Sequence, residues 1–278
     1  MGVETGIRQV EYMIELINKL ETKTSNGVLS KGWYSVNSIK KLVKGNSHSE
    51  AGKTTGYEPF SEVLVSVLLD VIGAPHVEYE LDFACNYPEI HTYDCNWVST
   101  CKMIDTRKQL VHYAQYADVL SGGECKDYFS FLMKHKDLAH EVYRMIAVDA
   151  IVGNSDRHLN NFDIMWDGKS ATLAPIFDNG AALLSLISDK GIKDNWKGVG
   201  PDKAKPFKKT HAEQVRLFRG RLGDIKLSHC NIEDIYGEWE KRSSTVLGLI
   251  DTKRAESIKS YLYNRLCEYS WMFGGNSK

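Results

Sequence analysis

Two aspartates and one asparagine stand around a predicted β-hairpin in the middle of the sequence. Asn161 follows Asp156 by five residues, and Asp178 follows Asn161 by seventeen. The turn Asp167-Gly168 between two short β-like runs predicts the hairpin. A loop after a buried helix can aim one carboxylate at an incoming hydroxyl group, while the amide five residues later and the carboxylate beyond the hairpin face one metal ion. Such oxygen ligands, completed by phosphate oxygens, suit Mg²⁺.

The same residues also fit ordinary loop chemistry. The run from Gly153 to Asp156 is typical of a helix end, Asn161 can satisfy a loop, and Asp178-Asn179 begins a common turn. An aspartate and an asparagine five apart are weak evidence alone. The hairpin and the second aspartate favour the functional interpretation, because protein kinases use the same offset and the same order of parts.

The elements that must position these residues are mixed in type. The spacing of apolar residues predicts a short helix over 7–21, two strands before Gly45 and a long helix over 57–73. The runs HVEYELDF and NWVSTCKMI predict two further strands.

After Ile104 the pattern becomes helical, with helices predicted over 106–119, 126–136 and 138–152. The hairpin FDIMWDG…SATLAPIFD follows, and the chain reads as helical again from about residue 208. We therefore expect an α+β fold with two lobes. Residues 1–104 would form a strand-rich N-lobe, and residues 105–278 a mainly helical C-lobe with the catalytic loop and the metal-binding hairpin.

Composition excludes several function classes. The 35 Lys and Arg residues nearly balance the 36 Asp and Glu residues, so no global charge attracts nucleic acid or an anionic membrane. The six cysteines include no C-x-x-C pair and are too sparse for a disulfide scaffold, which indicates reduced thiols and a cytoplasmic protein. Charged residues interrupt the apolar residues near the N-terminus, and this pattern fits neither a signal peptide nor a membrane span.

The run GNSDRHLNN followed by LAPIFDNGAAL resembles the catalytic and metal-binding segments of the HipA-like serine/threonine kinases, especially the compact bacterial CtkA type. The resemblance covers roughly residues 25–185. Phosphatidylinositol 3- and 4-kinases carry a similar D-R-H-x-x-N loop, so the motif alone does not choose a substrate. The extra N-terminal domain of full-length HipA toxins has no match here, and we carry over neither a toxin role nor an antitoxin partner.

The resemblance also implies residues that bind ATP. LVKGNS is similar to the strand that bears the phosphate-binding lysine, which would be Lys44, with Lys40, Lys41 and Lys53 close enough to be confused with it. GYEPFSEVLVSVLLDVIG is similar to the helix that presents its glutamate. The S-E pairing favours Glu62 as that ion-pair partner.

Two choices stay open in this N-terminal region. Glu58 lies four residues before Glu62 and shares its helix face. Ser25, Asn26 and Gly27 belong to a glycine-bearing loop that either closes over the phosphates with its backbone amides or is an ordinary surface turn.

The implied activity is transfer of phosphate from ATP, with Mg²⁺ as cofactor, to a serine or threonine of a protein substrate. Asp156 would accept the hydroxyl proton, Asn161 and Asp178 would hold the metal, and His158 would organise the loop. Self-phosphorylation at Ser25, Ser30 or Ser35 is a further expectation. The alternatives are a small-molecule or lipid kinase and a nucleotide-binding pseudokinase that acts as an interaction module. The sequence leaves the oligomeric state open.

Overall fold

The computed structural model describes residues 29–36, 39–47, 56–93, 95–104, 108–193 and 202–274. The helix predicted over residues 7–21 lies outside these ranges. The strands of the described part are β1 (Leu29–Val36), β2 (Ile39–Ser47), β3 (Tyr79–Phe83), β4 (Trp97–Lys102), β5 (Gln109–His112), β6 (Asp163–Trp166) and β7 (Ala171–Leu173). Its α-helices are α1 (Glu58–Val71), α2 (Tyr113–Leu120), α3 (Tyr128–Met133), α4 (Lys136–Val152), α5 (Asp189–Lys193), α6 (His211–Leu222), α7 (Ile232–Leu247) and α8 (Thr252–Glu268).

The first sheet is antiparallel, with strand order β1-β2-β4-β3. Successive side chains of a strand point to opposite faces. Val43 therefore packs on one face of the sheet with Val98 and Ile90, whereas Lys44 points to the other face, toward Glu62 of α1. The alternation of β2 thus separates a small apolar cluster from a charged one. The strands predicted in this region are confirmed.

Helix α1 is buried along nearly its whole length. Pro59 stands in its first turn, where its missing N–H costs no helical hydrogen bond. Gly73 ends the helical region with a φ of 70°, as glycine does after a helix. The indole Nε1 of Trp239 on α7 donates to the carbonyl oxygen of Leu64 at 3.0 Å. Since both sides of α1 are covered, the buried carboxylate of Glu62 requires a charged partner.

The second sheet has the order β5-β6-β7 and corrects one prediction. The helix predicted over residues 106–119 is wrong in its first half, because Gln109–His112 is a strand and the helix begins only at Tyr113. β5 pairs with β6 in antiparallel fashion, which buries Val111 opposite Ile164. This long-range pairing outweighs the helical spacing of the local apolar residues.

The predicted hairpin is confirmed as β6 and β7. Asp167 caps its turn by accepting hydrogen bonds from the backbone N–H groups of Lys169 at 2.9 Å and Ser170 at 2.8 Å. Gly168 takes a φ of 85°, in the left-handed region that glycine adopts without strain. The hairpin returns the chain toward the loop that precedes it.

Helix α4 runs through the main hydrophobic core, where the α2, α3, α6, α7 and α8 helices also contribute side chains. Its whole second half, from Met145 to Val152, is buried. Within the described residues, no helix is long and apolar enough to cross a lipid bilayer. The fold class is confirmed as α+β, with an antiparallel N-terminal sheet and a helical C-terminal region, while the lobe boundary at residue 104 stays a prediction.

The C-terminal end of α4 is held by α8. The guanidinium group of Arg265 donates to the carbonyl oxygen of Ala150 through Nε at 2.9 Å and through Nη2 at 2.5 Å. Gly153 follows the helix with a φ of 68° and lies directly against the hydroxyl group of Tyr261, where a side chain would overlap. These contacts fix where the following loop begins.

We predict that Gly153→Ala lowers the free energy of unfolding by more than about 1 kcal/mol, because alanine is strained at this φ and would collide with Tyr261. Urea unfolding measures the effect. The control is Gly220→Ala in α6, where an added Cβ meets no heavy atom within 4 Å. That change should raise the free energy of unfolding by roughly 0.5–1 kcal/mol through helix propensity. Equal behaviour of the two variants would contradict the role of Gly153.

Candidate active site

Lys44 forms the centre of a buried cluster of charges. Its Nζ lies 2.8 Å from Oε1 of Glu62, 2.8 Å from Oδ1 of Asp178 and 3.1 Å from the hydroxyl oxygen of Tyr79. The residue is only 5% exposed. Burial alone would lower the pKa of Lys44, but the carboxylates of Asp178 and Glu62 raise it well above its usual range. Lys44 is therefore a cation at neutral pH.

Glu62 uses both carboxylate oxygens. Oε1 accepts from Lys44, and Oε2 accepts from the backbone N–H of Asn179 at 2.7 Å. One residue earlier, the hydroxyl group of Ser61 donates to the carbonyl oxygens of Asn179 and Ala182 at 2.8 and 2.9 Å. Helix α1 is thereby attached to both strand β2 and the segment that carries Asp178.

The ion pairs of the neighbouring charged residues differ, while the choice of the phosphate-binding lysine stays a prediction. Lys41, on the opposite face of β2, pairs with Glu80 at 3.2 Å, whereas Lys44 points inward. The ion pair to Lys44 comes from Glu62. The competing Lys53, together with Ser25, Asn26 and Gly27, lies outside the described residues.

Asp178 has an unusual backbone. Its φ of 61° lies in the left-handed region, which aspartate tolerates better than most residues. Burial raises the pKa of its carboxyl group, but the positive charges of Lys44, Arg157 and Lys31 together lower it further, and the resulting pKa is about 2. Asp178 is therefore ionised throughout the neutral range.

Arg157 holds the loop and the hairpin together from inside. It is fully buried, and its Nε and Nη2 each lie 3.0 Å from an oxygen of Asp149 on α4. Its Nη1 donates to the carbonyl oxygens of Asn161 at 2.8 Å and Phe177 at 2.5 Å, and its Nη2 also donates to Oδ1 of Asn179 at 2.6 Å. One guanidinium group thus fixes both segments that carry the predicted site residues.

Asp156 and Asn161 are joined within the loop. The Nδ2 of Asn161 donates to the backbone carbonyl oxygen of Asp156 at 2.9 Å, and the backbone N–H of Asp156 donates to Oδ1 of Asn154 at 3.1 Å. The carboxylate of Asp156 is about half exposed, and its Oδ1 lies 2.7 Å from the Nζ of Lys205. The loop backbone is fixed while the carboxylate remains accessible.

His158 makes a contact inside the same loop. Its Nδ1 accepts from the backbone N–H of Asn160 at 3.2 Å. Burial lowers the pKa of His158, which keeps the imidazole ring neutral at neutral pH.

The donor set suits Mg²⁺ but does not form a complete metal cage. Among the described residues, no group of three or more His, Cys, Asp or Glu side chains could hold a metal ion. Asn161 and Asp178 offer an amide oxygen and a carboxylate, which are hard ligands of the kind that Mg²⁺ uses when phosphate oxygens and water complete its shell. The two residues therefore fit a metal that arrives with a phosphate ligand.

Sequence reasoning missed several members of the site. Tyr79 binds Lys44, and Asp149 pairs with Arg157. Lys31 is the direct cross-strand partner of Lys44, which only the strand register reveals.

Two further members could not be assigned from neighbouring residues alone. Lys205 lies 49 residues after Asp156 in the chain, and no local motif indicates that the two residues are in contact. For Asp149 the signal was a lone carboxylate within an otherwise apolar helical run, since a buried carboxylate requires a partner.

Comparison with known proteins identifies what the chain is similar to. A family model described as the HipA-like C-terminal domain matches residues 28–240. The crystal structure of the Helicobacter pylori proinflammatory kinase CtkA aligns over 88% of this chain and 90% of that chain, with a TM-score of 0.59 and 17% sequence identity. The Shewanella oneidensis HipA, solved with HipB and operator DNA, aligns over 93% of this chain and 71% of that chain, with a TM-score of 0.46 and 12% identity. No curated protein matches.

These findings confirm the family resemblance and the two-lobed kinase-like fold that the sequence predicted. At 17% identity, the likeness to CtkA concerns the fold alone.

We predict that Arg157→Met lowers the free energy of unfolding by roughly 3–5 kcal/mol, because it leaves the buried carboxylate of Asp149 without its charged partner. Chemical denaturation monitored by circular dichroism measures the change. Lys241→Met is the control, since the ion pair of Lys241 with Glu238 is exposed and long, at 3.7 Å. We expect no measurable change there. An Arg157→Met variant as stable as the control would show that the guanidinium does not hold the loop.

Proposed function

The chain belongs to the family of HipA-like C-terminal domains, and we propose that it is an ATP-dependent kinase that transfers phosphate to a serine or threonine hydroxyl group of a protein. The observation that carries this proposal is the convergence of Lys44, Glu62 and Asp178 beside the loop of Asp156 and Asn161. A protein catalyses phosphoryl transfer mainly by positioning the reacting groups and by neutralising charge. This cluster supplies both.

Lys44 is suited to bind the phosphates of ATP. Its ammonium group is a compact point charge, and Glu62 fixes it from the side of α1. In the structure, Lys44 also pairs with Asp178 at 2.8 Å. A bound nucleotide would offer phosphate oxygens to the same ammonium group, in competition with Asp178. Glu62, whose second oxygen is bound to the backbone of Asn179, would keep Lys44 in place during this exchange.

Asn161 and Asp178 are the residues that would hold the metal. A bound Mg²⁺ supplies positive charge to the phosphate oxygens and orients them for transfer. The low pKa of Asp178, about 2, keeps its carboxylate available as a ligand at any physiological pH. Arg157 fixes both ligands, because it binds the carbonyl oxygen of Asn161 and that of Phe177, the residue before Asp178.

Asp156 would act on the acceptor. Its half-exposed carboxylate can accept the proton of the incoming hydroxyl group. The acceptor oxygen then forms its bond to the γ-phosphorus, the bond from that phosphorus to the bridging oxygen of ADP breaks, and ADP leaves with that electron pair. The backbone contacts of Asp156 to Asn154 and Asn161 fix where the carboxylate stands.

We predict that Asp156→Asn and Asp178→Asn each lower phosphate transfer by about 10²-fold or more, because one removes the proton acceptor and the other a charged metal ligand. The measurement is transfer of label from γ-labelled ATP, with Mg²⁺, to the protein itself and to dephosphorylated casein. Asp137→Asn is the control, an exposed carboxylate at the start of α4 that should leave the rate unchanged.

Wild-type turnover by either variant would overturn the assigned roles. Label that appears on an added small molecule or lipid and never on protein would indicate a small-molecule or lipid kinase. Tight ATP binding without any transfer would identify a pseudokinase.

Self-phosphorylation is the second part of the proposal. Ser30 lies on β1, next to Lys31, whose cross-strand partner is Lys44. Its Oγ accepts a hydrogen bond from the backbone N–H of His91 at 2.9 Å. Ser25 and the side chain of Ser35 lie outside the described part of the chain.

We predict that incubation with ATP and Mg²⁺ places phosphate within residues 22–38, at Ser25, Ser30 or Ser35. Phosphate on Ser30 would add negative charge and bulk at the residue that holds the backbone of His91. Mass spectrometry of the digested protein locates the phosphate, and Asp156→Asn, incubated in parallel, reports any contaminating kinase. Phosphate confined to other segments would contradict this part of the proposal alone.

A cytoplasmic location is also part of the proposal. All six cysteines are free, at positions 85, 95, 101, 125, 230 and 267, as a reducing cytoplasm would keep them. A protein with an accessible serine or threonine is the proposed partner.

A further inference from the structure

The loop that carries Asp156 offers no mobile cation of its own. Arg157 is fully buried, and Asp149, Asn179 and two backbone carbonyl oxygens occupy its guanidinium group. His158 already accepts a hydrogen bond within the loop through Nδ1. Since charge develops on the transferred phosphoryl group, a cation beside Asp156 would have to come from elsewhere in the chain.

Lys205 brings a positive charge to this point. Its Nζ lies 2.7 Å from Oδ1 of Asp156, and the two side chains are 54% and 48% exposed. Such an exposed ion pair contributes little to stability, because water screens it and both side chains lose freedom. The contrast with Lys44 is direct, since that ammonium group is buried between two carboxylates. Lys205 can therefore exchange Asp156 for another anion at small cost.

The backbone beneath Lys205 is fixed even though its ammonium group is accessible. The fully buried Gln214 on α6 donates through Nε2 to the carbonyl oxygen of Lys205 at 2.9 Å and accepts from the backbone N–H of Phe207 at 3.0 Å. The ring of Phe207 packs against Phe129 and Phe218, with centroids 5.6 and 5.5 Å away. A buried amide and an aromatic cluster thus hold the base of an exposed lysine.

We propose that Lys205 is a second catalytic cation, which pairs with Asp156 in the free protein and binds the γ-phosphoryl oxygens during transfer. The inference rests on the proposed kinase function. As the acceptor oxygen bonds to the γ-phosphorus and the bond to the ADP oxygen breaks, the acceptor proton passes to Asp156. Protonation removes the negative charge of the Asp156 carboxylate, and the attraction that holds Lys205 to it disappears. The phosphoryl oxygens, which carry negative charge at that moment, become its better partner.

The test compares binding of MgADP alone with binding of MgADP plus aluminium fluoride, which imitates the transferred phosphoryl group. Isothermal titration calorimetry on the full chain measures both affinities for the wild type, Lys205→Met, Lys205→Arg and Lys208→Met. Lys208 is an exposed lysine of the same segment and serves as the matched control. Urea unfolding of each variant checks that stability is unchanged.

We expect Lys205→Met to bind MgADP as the wild type does, within twofold, but to lose about 10²-fold in affinity for the aluminium fluoride complex. Lys205→Arg should recover part of this loss because it keeps the charge, and Lys208→Met should match the wild type. The rate of transfer to casein should fall in Lys205→Met, with the KM for ATP nearly unchanged. This split separates a catalytic role from a structural one, which would lower stability and both affinities together.

Two results would overturn the inference in distinguishable ways. If Lys205→Met and the wild type bind the aluminium fluoride complex equally, Lys205 is an ordinary surface ion pair and the proposed kinase function stands. If the wild type binds neither MgADP nor its aluminium fluoride complex, the proposed function fails and this role fails with it.

Discussion

The structure depends on the position of one buried ammonium group between two carboxylates. Removing Lys44 and Glu62 fully and Asp178 partly from water is costly, and only close pairing with good geometry offsets that cost. The three residues come from strand β2, helix α1 and the segment after β7. The sheet, the long helix and the hairpin can therefore reach low energy only in an arrangement that brings these charges together.

A second buried cation extends the same constraint into the helical region. Arg157 has Asp149 as its counter-ion and also binds backbone carbonyl oxygens on both sides of the hairpin. Asn179 links the two clusters, because its backbone N–H binds Glu62 and its side chain binds Arg157. Polar networks of this kind are rigid when every member has a partner, and they are costly to break in part. The rigid part of the site is thus a connected network rather than a set of separate ion pairs.

The accessible part of the site follows a different principle. Asp156 and Lys205 are about half exposed, and their ion pair contributes little to the free energy of folding. Groups that must exchange partners during a reaction belong where such exchange costs little. Buried pairs around Lys44 and Arg157 fix the geometry of the candidate site, and in the proposed mechanism the exposed pair is the part that exchanges partners.

Much of this site could be predicted from local spacing. The offset from Asp156 to Asn161, the turn at Asp167 and the aspartate beyond it all lie within one short stretch of chain, where turn chemistry leaves a direct trace in residue order. The helix that carries Glu62 was likewise visible in its apolar period. The helical prediction for residues 109–112 failed because pairing with β6, a strand more than fifty residues later, decides the conformation there.

Residue order thus indicates the local elements and the arrangement of the site residues along the chain, since periodicity and turn preferences act between near neighbours. Contacts between residues far apart in the chain are seen in the folded structure and not in residue order. Lys44 and Asp178 are 134 residues apart, and Lys205 is 49 residues from Asp156. Strand register also places Lys31 opposite Lys44. Such contacts arise because folding brings distant charges together, and local sequence patterns do not specify which charged residues will pair.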